Sequence, residues 1–276
     1  MNPEILKLAF LGESKGRPFK FPGKVRLTIG RKSSVVPAII DTGAGATLIT
    51  FNMLRNLGVR PEDLKASSAR FGIRRGMTTY TVMADRLEVL GLSGCAVENF
   101  PLRAQSFILG SAPFGEVMLC GTDLIQTLRM KISVQSIVPR TVLKVLCGIP
   151  REGNPRDLER SYAAGNVTFH HKKKSITVRS VFDTGATFVS IPSSLSLKLG
   201  LRPKPLSVKA IGVTAMLTLA EAKIDSMEIA GTGCRFKSPT VYILRGVPFP
   251  IIGTNFMKAT KTVLDFSSEP RVICPR

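Results

Sequence analysis

The stretch that decides the fold is VVPAIIDTGA, residues 35–44, which returns as SITVRSVFDTGA, residues 175–186. In each copy a strand-like run rich in apolar residues leads directly into Asp-Thr-Gly-Ala. The likeness is wider than the motif, since residues 25–43 align without a gap on residues 167–185. Further along, LCGTD aligns with IIGTN. Self-similarity of this extent predicts a tandem duplication of one unit.

The duplication divides the chain near residue 150, into a first unit of residues 1–150 and a second unit of residues 151–276. Residues 139–166 are rich in Pro, Gly and charge and form the predicted connector, although TVLKVLC within them can add a strand. Hydrophobic residues make up 44% of the 276 residues, which is ample for a buried core in each unit. We therefore predict two globular domains of related structure.

Short helices are predicted at two corresponding places in each unit. FNMLRNLG and SSLSLKLG follow the two Asp-Thr-Gly motifs, with Thr50 or Ser193 available as the N-cap and a glycine as the C-terminal stop. A second helix is expected to begin after Gly121 and after Gly253. The rest of each unit shows the alternation and the apolar runs that are typical of strands.

The chain carries a net charge of +20, and its two halves hold the same excess of ten basic residues. An even spread, with few aromatic residues among the basic ones, favours a solvated surface over a nucleic-acid footprint. We therefore expect no nucleic-acid partner, while a basic surface can still attract acidic substrates over a long range.

The sequence shows no sign of membrane insertion or secretion. No apolar run approaches the roughly 18 residues that span a bilayer, and Glu4 stands where a signal peptide would carry positive charge. The five cysteines are an odd set without CxxC spacing, which predicts neither a full disulfide framework nor a zinc knuckle. The expected location is the cytoplasm, a reducing compartment.

With an apolar strand, Asp-Thr-Gly-Ala and a later apolar-apolar-Gly in each half, the sequence resembles the retropepsin-like aspartic peptidases, the family of retroviral proteases and their cellular and prokaryotic relatives. The resemblance covers nearly the whole chain, once per unit. It implies a mainly β, bilobal aspartic-protease fold, with two homologous β-rich lobes, pseudo-twofold symmetry and a few short helices. Strands near residues 129–134 and 261–266 are expected at the interface between the lobes.

The resemblance implies that Asp41 and Asp183 are the catalytic residues of an aspartic endopeptidase. Two carboxylates placed close together cannot both ionise, so they hold one proton between them. The ionised member can then take a proton from a water that attacks the peptide carbonyl. No cofactor or metal is expected, because the two histidines, His170 and His171, are strand neighbours that point to opposite faces. The expected partner is a polypeptide substrate in extended conformation, and one monomer suffices for activity.

The same resemblance assigns supporting roles around the two carboxylates. Glycine lets the backbone turn beneath each carboxylate, threonine is expected to bond to the opposite loop, and alanine leaves room for the substrate backbone. These residues are Thr42, Gly43, Ala44, Thr184, Gly185 and Ala186. Gly121 and Gly253 are expected behind the two loops, in the strand that closes each lobe.

A hairpin flap over the substrate is expected in each unit, at residues 71–82 and 211–219. Closure of such a hairpin would bind the peptide as an added strand and would exclude water. The flap residues are Gly72, Ile73, Gly76, Gly212 and Val213. Tyr80 can be a flap aromatic or can pack on the body of the lobe.

Two other functions are compatible with the sequence. A non-catalytic peptide-binding or assembly module on the same fold would bind extended peptides without turnover. A basic nucleic-acid-associated protein would bind with an affinity that falls steeply with salt and does not depend on either Asp. Substitution of each Asp and a salt titration distinguish these two functions from a peptidase.

Overall fold

The computed structural model describes most of the chain, and the described residues are predominantly in β-strands. They are residues 6–10, 23–64, 66–69, 77–105, 117–137, 140–158, 161–211 and 216–275. Within these ranges the α-helices are only six or seven residues long. No helix in this part of the chain is long and apolar enough to cross a membrane. The predicted fold class, mainly β with a few short helices, is confirmed.

The first half of the chain supplies the first sheet. Its strands and helices are β1 (Leu6–Phe10), β2 (Gly23–Ile29), β3 (Lys32–Ile40), β4 (Leu48–Thr50), α1 (Phe51–Asn56), β5 (Ala66–Ala69), β6 (Met77–Val89), β7 (Ala96–Gln105), β8 (Met118–Cys120), α2 (Thr122–Thr127), β9 (Lys131–Ile137) and β10 (Arg140–Leu146). Seven of the strands form a sheet in the order β2-β3-β8-β4-β7-β6-β5, and β2 also pairs with β6. This extra pairing places two fully buried leucines, Leu27 and Leu87, side by side.

The second half supplies the second sheet. Its strands and helices are β11 (Ala164–His171), β12 (Lys174–Phe182), β13 (Ser190–Pro192), α3 (Ser193–Leu199), β14 (Lys204–Ile211), β15 (Met216–Lys223), β16 (Ser226–Ile229), β17 (Arg235–Lys237), β18 (Thr240–Leu244), β19 (Ile251–Ile252), α4 (Thr254–Thr260), β20 (Val263–Asp265) and β21 (Arg271–Ile273). Nine of the strands form a sheet in the order β14-β15-β18-β13-β19-β12-β11-β16-β17.

The two sheets share one strand order around the Asp-Thr-Gly motifs. The first runs β2-β3-β8-β4-β7-β6-β5, and the second, taken from β11, runs β11-β12-β19-β13-β18-β15-β14. One hairpin detail also repeats, because the N–H of Gly30 donates to Asp85 and the N–H of Lys172 donates to Asp225. A duplication would produce this correspondence. The duplication, and the boundary near residue 150 between β10 and β11, stay predictions.

A third sheet joins the two halves, in the order β1-β10-β9-β20-β21. Its central pair consists of β9 from the first half and β20 from the second, antiparallel, with Ile132 opposite Leu264. Both side chains are buried. The expected strands at the junction, near residues 129–134 and 261–266, are therefore confirmed.

An ion pair crosses the same junction. Lys131 Nζ lies 3.4 Å from Asp265 Oδ2, and Arg271 Nη2 lies 3.7 Å from the same oxygen. Burial of the Asp265 carboxyl raises its pKa, but hydrogen bonds from Ser267 and the charge of Lys131 outweigh burial, and the net pKa lies below its ordinary value. The ionised form of Asp265 therefore stabilises the junction.

The short helices begin where the sequence predicts them, with one difference in capping. Thr50 Oγ1 accepts a hydrogen bond of 3.1 Å from the N–H of Met53 and caps α1 as expected. The expectation that Ser193 caps α3 is wrong, because Ser193 is already helical and Pro192 is the N-cap. The Ser193 hydroxyl donates instead to the carbonyl of Leu244 on β18.

Four of the five cysteines are paired, so the expectation that there is no disulfide framework is wrong. Cys95 bonds to Cys147 and Cys234 to Cys274, with Cα atoms 5.6 and 5.9 Å apart. The partners are 52 and 40 residues apart in the chain, a distance at which local spacing gives no signal. Cys120 is free and buried. Because disulfides persist mainly in oxidising compartments, the cysteines no longer support the cytoplasmic prediction.

The main core is continuous through both halves. Its largest fully buried side chains include Phe100, Phe169, Phe182, Phe256 and Phe266. Phe182, which directly precedes Asp183, packs edge-on against Phe256 of α4 with ring centroids 6.1 Å apart. Full burial of such a ring stabilises the fold by about 2 kcal/mol, so the strand that carries the second Asp is firmly anchored.

Candidate active site

The two aspartates occupy corresponding positions at strand ends. Asp41 follows β3 and donates its N–H to the carbonyl of Cys120 at 3.0 Å, while Asp183 follows β12 and donates to Ile252 at 2.9 Å. Both acceptors belong to the strand that pairs in parallel with the Asp-bearing strand. In each half the hydrogen-bond ladder between these two parallel strands ends at this bond, and the Asp-Thr-Gly loop begins there.

The two loops meet face to face, and glycine is what permits it. A Cβ at Gly43 would overlap the carboxyl of Asp183, with Oδ2 only 2.5 Å away. A Cβ at Gly185 would overlap the carboxyl of Asp41 and would lie 2.7 Å from Asp183 Oδ1. One point beside Gly185 therefore lies within 2.7 Å of an oxygen of each carboxylate, so the two carboxylates are close neighbours.

The loops are tied together by a reciprocal exchange of hydrogen bonds. The N–H of Thr42 donates to Thr184 Oγ1 at 3.1 Å, and the N–H of Thr184 donates to Thr42 Oγ1 at 2.9 Å. Each hydroxyl then donates across the junction, from Thr42 to the carbonyl of Phe182 and from Thr184 to that of Ile40, both at 2.7 Å. Both threonines are fully buried. These bonds fix the position of each Asp relative to the other.

Backbone donors also hold the carboxylates themselves. Asp41 Oδ1 accepts from the N–H of Gly43 at 3.0 Å and of Ala44 at 3.1 Å. Asp183 Oδ1 accepts from the N–H of Gly185 at 2.6 Å. These donors fix the orientation of each carboxylate within its loop.

The loop of each half lies against a glycine that directly follows β8 or β19 and is the N-cap of the next helix, rather than a residue of the strand as expected. A Cβ at Gly121 would overlap the backbone of Ala46, and a Cβ at Gly253 would overlap the backbone of Phe188. Ala186, at the end of the second loop, donates its N–H to the carbonyl of Asp183 at 3.2 Å. The structure thus places Gly121 and Gly253 directly behind the loops that carry the aspartates.

A buried carboxylate that sequence reasoning missed braces the first loop. Asp123 is only 1% exposed and accepts from the N–H and the hydroxyl of Thr47, at 2.9 and 2.6 Å. In the second half Val189 replaces the threonine and Asn255 replaces the carboxylate. In the alignment of the two repeats, both members of this Thr–Asp pair change together, to Val and Asn. That joint change could have indicated that the two side chains are in contact.

The free cysteine lies directly behind the first Asp. Burial raises the pKa of the Cys120 thiol, and the nearby carboxylates of Asp123 and Asp41 raise it further. A thiol with a raised pKa stays protonated at neutral pH and is a poor nucleophile or metal ligand. Cys120 therefore contributes to packing rather than to chemistry.

The predicted flap residues lie outside the described part of the chain. They are Gly72, Ile73, Gly76, Gly212 and Val213. Tyr80 is described, and its ring packs edge-on against Phe51 at a centroid distance of 5.5 Å. This contact agrees with packing on the body of the lobe. The described residues contain no group of three His, Cys, Asp or Glu side chains placed to hold a metal ion.

Comparison with known proteins finds one matching family model. The model, described as "Aspartyl protease", matches residues 167–256, which include the second Asp-Thr-Gly-Ala motif. This part of the chain is therefore similar to aspartyl proteases. The resemblance to aspartic peptidases drawn from the sequence is confirmed at this level, and the match supports a peptidase function in general terms.

One solved structure is similar to part of the chain. A retropepsin-like aspartic protease from Rickettsia conorii is similar at 17% sequence identity and a TM-score of 0.27. The alignment covers 36% of this chain and 76% of that protein. No curated protein matches the chain.

Proposed function

We propose that this protein is an aspartic endopeptidase in which Asp41 and Asp183 form one catalytic pair. The observation that carries the proposal is the reciprocal contact of the two loops, in which each glycine lies against the opposite carboxylate. The aspartyl protease match to residues 167–256 supports it for the second motif. The first motif is included in the proposal because it has the corresponding strand, loop and hydrogen bonds.

The proposed reaction uses one water molecule held between the carboxylates. The ionised carboxylate removes a proton while the water oxygen attacks the scissile carbonyl carbon, and the protonated carboxyl donates to the carbonyl oxygen. The tetrahedral intermediate then collapses, the C–N bond breaks, and the leaving nitrogen takes up a proton. No covalent intermediate forms. The backbone donors and the threonine exchange hold the pair in place without movement during the reaction.

Each half has its own part in this proposal. The first half, residues 1–150, and the second half, residues 151–276, are proposed to be duplicated lobes related by a pseudo-twofold axis through the pair. Because one chain supplies both aspartates, the monomer is sufficient. The substrate is an extended polypeptide lying between the lobes.

The test is cleavage of a peptide library from pH 3 to 8 by wild type, Asp41→Asn and Asp183→Asn. This range covers the pH at which carboxylate pairs titrate. Asp63→Asn is the matched control, because Asp63 is an exposed carboxylate paired with Arg60. We expect turnover by wild type and the control and loss of turnover in both active-site variants, with far-UV circular dichroism showing that each is folded.

Other outcomes identify the alternatives. Turnover that survives either active-site substitution would exclude the shared pair. Folded protein that binds extended peptides and cleaves none would instead favour a non-catalytic binding module. Binding to nucleic acid that weakens steeply with salt and ignores both aspartates would favour the basic nucleic-acid-associated protein.

A further inference from the structure

One end of the second half carries a group of exposed basic side chains far from the aspartates. Three lie on the β11–β12 hairpin and two at or just after the end of α3, and together they form the basic patch: Lys172, Lys173, Lys174, Lys198 and Arg202. Lys174 begins β12, and Asp183 directly follows the other end of that strand. The nine residues of β12, at about 3.3 Å each, place the patch roughly 30 Å from Asp183.

A hydrogen bond brings the hairpin and the helix end together. Lys174 Nζ donates to the carbonyl of Lys198 at 2.9 Å, which places a cation at the C-terminal end of α3. Gly200 caps that helix with a φ of 73°, and a Cβ added there would lie 3.4 Å from Lys174 Nζ. Arg202 follows shortly after this contact. The two segments of the basic patch therefore share one surface, although they are separate in the chain.

The charges of the basic patch are not neutralised by the neighbouring side chains that the structure describes. Within the described ranges, none of the five basic side chains forms an ion pair with a carboxylate. One carboxylate, Asp225, lies beside the hairpin, where it accepts the N–H of Lys172 at 2.6 Å and faces His171. Lys204 lies opposite Glu221 on β15, so it adds no net charge there. The basic patch therefore keeps a net positive charge.

The first half packs its corresponding hairpin in the same way. Lys32 stands at the position that corresponds to Lys174 in the repeat. Its Nζ lies 2.7 Å from a Cβ added at Gly58, the counterpart of Gly200. The packing of a lysine on the helix end is therefore common to both halves, and the two surfaces can be compared position by position.

The charges of the two surfaces differ. In the first half Arg60 is paired with Asp63, with Nε 2.7 Å from Oδ2, and Glu62 precedes that aspartate. The second half keeps the arginine, as Arg202, but has lost both acids. Its lysines stand where the first half has other residues, namely Gly30, Arg31 and Asn56. The fold does not require this surface to be strongly basic, so the charge in the second half indicates a partner.

An exposed apolar side chain stands within the basic patch. Leu197 directly precedes Lys198 in α3 and is 77% exposed, whereas Leu195 and Leu199 of the same helix are buried. Arg55 occupies the corresponding position in the first half. A leucine in water contributes nothing to the fold, but its burial in an apolar layer is favourable. The surface therefore combines positive charge with one apolar anchor.

This combination matches the surface of a membrane that contains anionic lipids. Each Lys or Arg near such a surface strengthens attachment by about fivefold, and an apolar side chain at the boundary of the acyl chains adds to it. A nucleic acid offers phosphates but no apolar layer for Leu197. The basic patch also includes no aromatic ring on which a base could stack. Charge and apolar exposure together thus favour the lipid surface.

We infer that the basic patch and Leu197 attach the second half to a membrane surface with anionic headgroups. The contact is peripheral, with the basic side chains at the headgroups and Leu197 at the boundary of the acyl chains. Asp183, at the opposite end of β12, lies away from the lipid. The inference does not depend on the proposed peptidase function.

The experiment is sedimentation of the full chain with vesicles of phosphatidylcholine alone or mixed with phosphatidylserine. We expect wild type to bind the mixed vesicles, to ignore the neutral ones, and to bind less as salt is raised. Lys173→Gln/Lys198→Gln should weaken binding about 25-fold, at about fivefold for each charge. Leu197→Ser should weaken binding about fivefold without changing its dependence on salt.

Each variant has a matched control. Arg31→Gln/Lys32→Gln removes the same number of charges from the corresponding hairpin of the first half. Ile149→Ser removes an apolar side chain that is 83% exposed beside the end of α2, since the N–H of the preceding Gly148 donates to Leu128. Both controls should bind the mixed vesicles nearly as wild type does. Far-UV circular dichroism checks that every variant is folded.

Three results would overturn the inference. They are failure of folded wild type to bind the mixed vesicles, equal weakening by Lys173→Gln/Lys198→Gln and its control, and binding that Leu197→Ser leaves unchanged. If an oligonucleotide competes with the vesicles and binds Leu197→Ser as tightly as wild type, the partner is a nucleic acid instead. Peptide cleavage without vesicles should be equal in all these variants, so a wild type that binds vesicles and cleaves no peptide removes the proposed function alone.

Discussion

The threonine exchange beneath the aspartates allows a quantitative prediction for Thr184→Val. Valine has nearly the shape of threonine, so the substitution removes the hydroxyl without opening a cavity. The N–H of Thr42 loses its acceptor and the carbonyl of Ile40 loses the 2.7 Å donor. Both groups are buried inside the loop junction, where an unsatisfied polar group costs about 1–3 kcal/mol. We therefore expect a loss of roughly 2–6 kcal/mol.

Urea denaturation measures this loss, and Thr184→Ser is the matched control. Serine keeps the hydroxyl and removes one methyl group, which costs about 1 kcal/mol. Thr42→Val removes the other two bonds, to the N–H of Thr184 and the carbonyl of Phe182, and should destabilise the protein to a similar extent. Peptide cleavage should fall about tenfold or more in both valine variants, because the carboxylates lose their fixed separation.

One result would refute the reasoning. If Thr184→Val unfolds at the same urea concentration as Thr184→Ser and cleaves peptides at the same rate, the reciprocal bonds do not hold the two loops together. A destabilised protein with unchanged cleavage would show that the bonds support the fold without positioning the aspartates.

Three further predictions concern other parts of the molecule. Asp265→Asn should destabilise the protein at pH 7. Acid titrations of stability should show this difference from wild type shrinking as the pH falls from about 4 through the lowered pKa of Asp265, because only the ionised carboxylate is stabilising. Cys147→Ser should lower the free energy of unfolding by about 4 kcal/mol in thermal or urea denaturation, because the disulfide closes a loop of 52 residues. Cys95→Ser and the double variant are the controls, and an equal loss in all three variants would assign it to the disulfide bond itself. Gly43→Ala should abolish peptide cleavage, whereas the control Gly165→Ala, where a Cβ meets side-chain atoms only at 3.5 Å or more, should leave it unchanged. Cleavage by Gly43→Ala at the wild-type rate would contradict the close approach of the loops.

Much of the frame was predictable because its signals are local. The apolar run before Asp41 specifies a buried strand, and Thr50 specifies the start of the next helix through its own side chain. Because the second half repeats the pattern of the first, the same local signals predict its strands and helices. The place of β9 and β20 at the junction was anticipated only through the family resemblance, and their pairing with each other was not predicted.

Contacts between distant strands around the site were not predictable in this way. Arg103 lies opposite Leu48 because β4 pairs with β7, and Tyr242 lies opposite Ser190 because β13 pairs with β18. These partners are far apart in the chain, and their register depends on which face each strand buries once the sheet has closed. The same holds for Asp123 beneath Thr47 and for the two disulfides.

The sequence by itself determined that two Asp-Thr-Gly-Ala loops follow buried strands in one chain, since neighbouring residues decide strand, turn and helix. Tertiary structure alone shows that the loops touch, that glycine fits where a Cβ would overlap the opposite carboxylate, and that Asp123 lies beneath Thr47. The physical reason is that contacts between distant residues form only when the sheets close and bury their apolar faces together.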